Sequence, residues 1–263
     1  MKQTRPSLTA RHVALTRATF VRPVLETGDA DAELRLYRSL GASRLPRTSA
    51  QTRRMERRTA FFDAETLRAI ERGTPQVVIV AAGYDGRALR FASPRVRWFE
   101  VDHPATQADK RRRLAAAGVD PSGVTFVSVD LTKDDLVAAL RGAGHDATRP
   151  SLFVVEGLFG YLTRPVSRQV LSSLRELAVA GSRLAAAFPT LPGDASPAEK
   201  LRLRLRGVVV AMAGEPWLVR FGPHEPDELL EATRWSIAPS ERQGGGLVRY
   251  EGRQGVLIGA VPA

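Results

Sequence analysis

The sequence predicts an α/β protein: a doubly wound, seven-stranded, mostly parallel sheet with an antiparallel last strand. Three observations lead there. Strand-like runs alternate with helix-like stretches along residues 76–188, the pattern of a sheet wound with helices on both faces. Val77 to Val80 form an unbroken β-branched run, as expected of a parallel strand covered on both sides. The last two strand candidates are separated by 16 residues, 239–254, rich in glycine and polar side chains and without helical periodicity. A parallel crossover normally needs a helix, so these two strands are expected to pair antiparallel.

Residues 1–72 precede the first strand and read as a helical N-terminal cap; within it, Gln51 to Ile70 place Met55, Phe62 and Leu67 near one helix face. The core, 73–190, begins with a strand over Gln76 to Ala82 and a short helix after Gly86. Strands follow over Val96 to Val101, Val124 to Val129, Leu152 to Val155 and Arg183 to Phe188. Between them lie helices over Pro104 to Ala117, Thr132 to Leu140 and Pro165 to Val179, ended by Gly118, Gly142 and Gly181. Two of the three start on a proline, whose fixed φ and missing donor suit a first turn. An insertion, 191–223, carries the capping-box pattern Ser196-Pro197-Ala198-Glu199 and reads as a helical lid. The segment 224–263 completes the sheet with strands over Arg234 to Ala238 and Gly255 to Val261. All of this is expected to form one domain, 1–263.

Composition narrows the function classes. No run approaches the roughly 18 apolar residues of a membrane span, and the first 20 residues lack the apolar core of a secretion signal, so a cytoplasmic protein with no membrane partner is expected. With no cysteine, thiolate metal sites and a cysteine nucleophile are excluded. His12, His103, His145 and His224 show no metal-ligand spacing, and no bound metal is expected. Neither a P-loop nor a GxSxG elbow occurs. The net charge is +11, and residues 1–58 hold 13 Lys and Arg against 5 Asp and Glu. Such a surface can be bland and solvated, or can steer an anionic small substrate; missing aromatic and basic interleaving argues against nucleic acid.

The chemistry-bearing residues cluster at strand ends. Gly83 and Gly86 follow the first strand and let the backbone turn sharply towards a ligand. Asp102 ends the second strand 19 residues after Gly83, a spacing that suits a carboxylate meeting ribose hydroxyls. Asp130 closes VTFVSVD and Glu156 closes SLFVVEG. Ligands of open α/β sheets bind outside the carboxyl ends of the strands, so the three acids face one crevice. They match the ribose, adenine amino and methionine ammonium groups of S-adenosylmethionine. Any one of them alone reads more readily as a helix cap; it is the three in register with a glycine turn that favour a site. AAGYDG is not GxGxxG, which weighs against a dinucleotide.

Taken together, QVVIVAAGYDGRALRF, RWFEVDHPATQADKRRRL, FVSVDL and VVEGLFGYLT resemble the leucine carboxyl methyltransferase family, including its bacterial natural-product O-methyltransferase branch. The resemblance runs from about Arg54 to Phe188. It implies the class I methyltransferase fold, Rossmann-like, and S-adenosyl-L-methionine as cofactor. It also implies residue roles: Gly83 and Asp85 in the cofactor turn, Asp102 on the ribose, Asp130 and Leu131 on the adenine, Glu156 beside the methionine part. Arg58 matches the arginine that holds the methionine carboxylate, with Arg57 as the alternative register. Ala81 departs from the pattern by standing where many members have the first glycine of GAG. Tyr161 corresponds to a position beside the substrate oxygen, or packs at a helix start.

The implied activity is O-methylation of a small molecule, a carboxylate being the favoured acceptor because it is already ionised at neutral pH. An alcohol or phenol would need a base, for which His103 and Tyr161 are the candidates. The alternatives are a catalytically silent cofactor- or partner-binding protein of the same fold and an RNA-modifying methyltransferase.

Overall fold

In the computed structural model, which describes residues 5–41, 49–191, 217–237, 249–252 and 255–263, the apolar run after Gln76 is strand β1 (Gln76–Val80), buried along its whole length. Parallel neighbours flank it on both edges: β2 (Arg97–Asp102) pairs Val78 with Phe99, and β4 (Ser151–Val155) pairs Val78 with Phe153. Beyond them lie β3 (Val124–Ser128), parallel to β2, and β5 (Arg183–Phe188), parallel to β4. The order β3-β2-β1-β4-β5-β8-β6 reverses direction between β1 and β4. That reversal creates the crevice in which open α/β sheets bind ligands.

The expected antiparallel closure is present. Strand β8 (Gly255–Pro262) runs antiparallel to β5 on one edge and to β6 (Trp235–Ile237) on the other. An eighth strand, β7 (Arg249–Gly252), was not expected; it lies inside the stretch read as a loop and pairs with the other half of β8, Gly252 opposite Gly255. Its pairing partner is supplied by tertiary structure, and its glycine-rich approach carries no strand signal of its own.

Helices α5 (Pro104–Ala116), α6 (Leu136–Gly142) and α7 (Arg164–Glu176) connect the strands, and α4 (Arg87–Arg90) is a single turn after Gly86. Helix α6 starts four residues later than expected, because Asp135 caps it by accepting from the backbone of Val137 and Ala138. It also runs through Gly142; the left-handed residue after it is Gly144. Strand β1 stops at Val80, two residues early, since Ala81 adopts a positive φ that ends the pleat. Helix α8 (Glu225–Ala232) leads into β6.

Alternating side chains divide the interior between two faces. Val78, Val80, Phe99, Phe153 and Val155 meet Leu171 and Leu174 of α7, while Val77, Ile79, Trp98, Leu152 and Val154 meet Phe61 and Phe62. The latter pair belongs to α3 (Ala50–Glu71), the last of three helices before β1, where Met55 and Phe62 are buried and Leu67 is partly so, as the spacing predicts. Helices α1 (Leu8–Arg17) and α2 (Ala30–Ser39) form a third apolar cluster with Tyr84, Leu89 and Leu114. Ser7, Asp29 and Ser49 cap the three helices through side-chain oxygens. The cap presses on the core closely: a Cβ on Gly28 would meet the carbonyl oxygen of Arg90 at 1.8 Å.

The capping-box helix expected at Ser196 lies outside the described residues. The end of that insertion is described: Leu218 donates its amide to Gly160 O at 2.8 Å, and Phe221 packs edge-on against Phe188. Among the described residues no helix is long and apolar enough to cross a membrane.

Candidate functional site

The turn after β1 is built by two left-handed residues, Ala81 and Gly83, each with φ of 55°. Ala82 N bonds to Val101 O at 3.0 Å and Asp85 N closes back on Ala82 O at 2.8 Å, so the loop folds against the end of β2. There Asp102 accepts from the amide of Gly83 and, at 2.6 Å, from the amide of His103. Burial raises the Asp102 carboxyl above its usual range, against these two donors. The first cap helix sits directly on the turn, since a Cβ on Gly83 would come within 2.8 Å of the Ala10 side chain. Glycine is therefore required at Gly83 twice, by conformation and by space.

Asp130, after β3, turns its carboxylate to its own chain and accepts from Thr132 N at 3.0 Å and Thr132 Oγ1 at 2.6 Å. Against the modest burial that would raise it, these bonds hold its pKa below the usual value. Leu131 beside it is half-buried on the α6 and α7 side of the sheet. A groove of about 410 Å³ between α6 and α7 reaches Leu131 but none of the other candidate residues.

Glu156, one residue past β4, is held by three arginines. Arg58 Nε lies 2.9 Å from one carboxylate oxygen; Arg17 Nη2 at 2.6 Å and Arg87 Nη1 at 2.9 Å share the other. Burial would raise its pKa, but Arg17, Arg87 and Arg58 outweigh burial and hold it at about 2. Asp85 points into the same cluster, 3.1 Å from Arg17 and in contact with Arg87 through side chain and backbone, and is held well below the carboxylate range. Behind them Asp63 takes Arg22, Arg87 and Arg90, and Glu33 takes Arg22 and Arg90. The structure places Arg58, not Arg57, on Glu156; Arg57 is exposed.

Two further candidates have quieter surroundings. His103 caps α5, its Nδ1 accepting from Ala105 N at 3.3 Å. In that role Nε2 carries the proton, and using Nε2 as a base would require moving the proton to Nδ1 at the expense of the cap. Tyr161 is half-buried, its amide bonded to Leu158 O at 2.8 Å, in the turn that Leu218 and Trp217 lie against.

The carboxyl edge of the sheet thus brings together the Ala81 to Asp85 turn, Asp102, Glu156 and Arg58. Arg17, Arg87, Asp63 and Glu33 joined this cluster without being singled out from sequence. Arg87 stands next to Gly86 and Asp63 ends RRTAFFD, but no spacing rule links either to Arg17, 70 and 46 residues away in the chain. Arg17 and Arg22, part of the N-terminal basic surplus, are buried in ion pairs and do not face solvent.

The family model described as leucine carboxyl methyltransferase matches residues 11–175, more than half the chain. A protein of Mycobacterium avium (strain 104) that carries the name of an S-adenosyl-L-methionine-dependent methyltransferase is 42% identical over 153 residues, 57% of this chain and 48% of the relative. A Mycobacterium marinum protein of the same name is 39% identical over 168 residues, 63% and 53% of the two chains. The chain spans about half the length of the curated relatives it matches. A solved structure from Thermobifida fusca YX, named for a methyltransferase, superposes with a TM-score of 0.58 over 99% of this chain and 96% of its own, at 15% identity, and so shares the fold.

Two outcomes follow from this geometry. An alanine held at positive φ is strained by about 1–2 kcal/mol, partly offset by the extra freedom glycine brings to the unfolded chain. Ala81→Gly should therefore raise stability by up to about 1 kcal/mol in urea unfolding, and Ala81→Val should lower it by more than about 1 kcal/mol. The second concerns acid. Glu156, Asp63 and Asp85 have pKa values lowered by folding, so their stabilisation is complete above the unfolded carboxyl range and lost as pH falls through the folded values. Circular dichroism melts should show stability dropping between about pH 4.5 and about 2, with a shallower drop in Glu156→Gln.

Proposed function

Because the chain belongs to the leucine carboxyl methyltransferase family, we propose that it binds S-adenosyl-L-methionine at the β1–β4 crevice and methylates an oxygen of a small molecule, a carboxylate above all. One observation carries the reading: a carboxylate for a ribose, Asp102, and an arginine–carboxylate pair for an amino-acid end, Arg58 and Glu156, flank the same glycine turn. The cofactor supplies an electrophilic methyl group on a sulfonium, released as a neutral thioether when an oxygen lone pair forms the new C–O bond.

The residues present fit that group. Asp102 has acceptor capacity beyond its two amide donors, and a vicinal diol offers two donors to one carboxylate. Glu156 is anionic across the neutral range and can receive an ammonium, while Arg58, partly exposed with a single bond to Glu156, can turn to a carboxylate. Asp130 would meet the adenine amino group beside Leu131 through Oδ2, the oxygen that Thr132 leaves unused and Lys133 approaches to 3.5 Å. What this chain contributes to rate is alignment of the reacting atoms and exclusion of water by the cap and by the segment at Trp217 and Leu218. No proton needs to leave a carboxylate acceptor. Tyr161 would orient that acceptor by donating a hydrogen bond from its hydroxyl, and surplus arginines of the cap would draw an anion in.

Calorimetry with S-adenosylhomocysteine, followed by mass-spectrometric screening of carboxylic acids with S-adenosylmethionine, tests the reading. Micromolar binding is expected, weakened at least about tenfold in Asp102→Ala through loss of charge-assisted hydrogen bonds. Methyl ester formation should vary little between about pH 6 and 8, where an acid acceptor stays ionised. A steep rise over that range would point to a hydroxyl acceptor. Tight binding with no product from any acceptor class would identify a silent cofactor-binding protein, and no binding at millimolar ligand would overturn the reading.

A further inference from the structure

We propose that Lys110, on the buried face of α5, is a positioning residue for the nucleoside end of the bound cofactor: it ties the turn after β1 to strand β2 and sets a buried cation near Asp102. The inference rests on the S-adenosylmethionine reading above, which gives Asp102 the ribose, and goes beyond it. Lys110 is 2% exposed, and its ammonium donates in two directions. One bond goes to the carboxylate of Glu100, equally buried on β2; the other goes to the backbone carbonyl of Asp85, in the turn, at 2.6 Å. Glu100 lies two residues before Asp102 on the same strand, so both side chains leave the same face of the sheet.

A buried ion pair is weak evidence for stability, since apolar residues of similar volume often fill such a place without loss, so this one calls for a second role. Its placement supplies the role. Helix α5 is capped by His103, whose amide also binds Asp102. Further along, Gln107 donates to Glu100 O at 3.2 Å, and Asp109 accepts from the hydroxyl of Tyr84 in the turn. Lys110, the next residue, reaches strand and turn at once. The spacing between the Gly83 amide and the Asp102 carboxylate is thereby held from α5.

Charge adds to geometry. The groups that bear on Asp102 and Glu100 are His103 and Lys110 from α5 and Asp85 from the turn, with Asp130, past β3, in electrostatic reach of His103. Burial raises the Asp102 carboxyl, opposed by the amides of Gly83 and His103 and by the charge of Lys110. Burial also pushes Glu100 up to about 7, with Lys110 opposing and Asp85 and Asp102 assisting. As Glu100 takes its proton near neutrality, the ammonium is left to the Asp85 carbonyl and to Asp102. The cation therefore supports the charge on Asp102 most where falling pH would remove it, and a charged carboxylate is the stronger acceptor for ribose hydroxyls.

Calorimetry with S-adenosylhomocysteine between about pH 6 and 8 reads this role. In the unaltered protein the affinity should change by less than about twofold over that range. Lys110→Met should bind about threefold or more weakly at pH 8, where the turn is no longer tied to β2, and lose a further roughly fivefold or more by pH 6, as Asp102 takes a proton. Adding Lys110→Met to Asp102→Asn, whose amide cannot titrate, should leave the affinity level with pH. Glu100→Gln keeps the cation and should also stay level. The double variant Glu100→Gln with Lys110→Met holds no charge at either place, should reproduce the steep profile, and serves if Lys110→Met alone does not fold. His103 is unchanged throughout and drops out of the comparison. A profile parallel to that of the unaltered protein in both Lys110→Met proteins, a steep profile in the Asp102→Asn background, or a steep profile in the unaltered protein would overturn the role of Lys110. Those results would leave intact an Asp102-dependent binding of S-adenosylhomocysteine; only failure of the unaltered protein to bind it would take the cofactor reading down as well.

Discussion

A guanidinium or carboxylate taken out of water has to be met by an opposite charge, and that requirement ties the N-terminal helices of this protein to its sheet. Asp63 on α3 receives Arg22 from the cap and Arg87 and Arg90 from the turn after Gly86; Glu33 on α2 receives two of the same arginines. Glu156 at the end of β4 and Asp85 in the turn receive Arg17 from α1. Each of these carboxylates meets at least two guanidinium groups, so removing one acid takes a partner from arginines on more than one segment. The cap, the turn after β1 and the strand-end glutamate consequently depend on one another for their positions.

The same lattice explains why the candidate site lies where it does. Strand reversal between β1 and β4 opens a crevice, and left-handed backbone at Ala81 and Gly83 turns the chain across it. Charge then differentiates the two ends of the crevice. At the β2 and β3 side, Asp102 is bound by two backbone amides and Asp130 by Thr132 and, at 3.5 Å, by Lys133, surroundings that suit hydroxyl and amino groups. At the β4 side, Glu156 sits among guanidinium groups, surroundings that suit a zwitterion. A ligand with a nucleoside at one end and an amino acid at the other matches this polarity.

Much of this was legible in the chain. Five parallel strands, their order of appearance, the antiparallel closure and the acids at three strand ends follow from local patterns: β-branched runs, helix caps, glycines at stops. What escaped was decided by contacts distant in sequence. Strand β7 exists because half of one β8 edge is open to it. Arg17, Arg22 and Asp63 look like surface charges in an amphipathic cap, and only the meeting of α1, α3 and the turn reveals that they are interior. Ala81 was recognised as a departure from glycine, but its conformation depends on Ala82 bonding back to Val101. The doubt over Arg57 and Arg58 was a matter of helix phase, which one turn of α3 resolves by exposing Arg57.

A crystal structure with S-adenosylhomocysteine bound addresses the whole account at once. It should show the ribose hydroxyls on Asp102 and the amino-acid end between Glu156 and Arg58, with the sulfur facing Tyr161 and the segment at Trp217. A ligand seated elsewhere, or one whose ribose makes no contact with Asp102 and whose amino acid leaves Glu156 bound only by arginines, would contradict it.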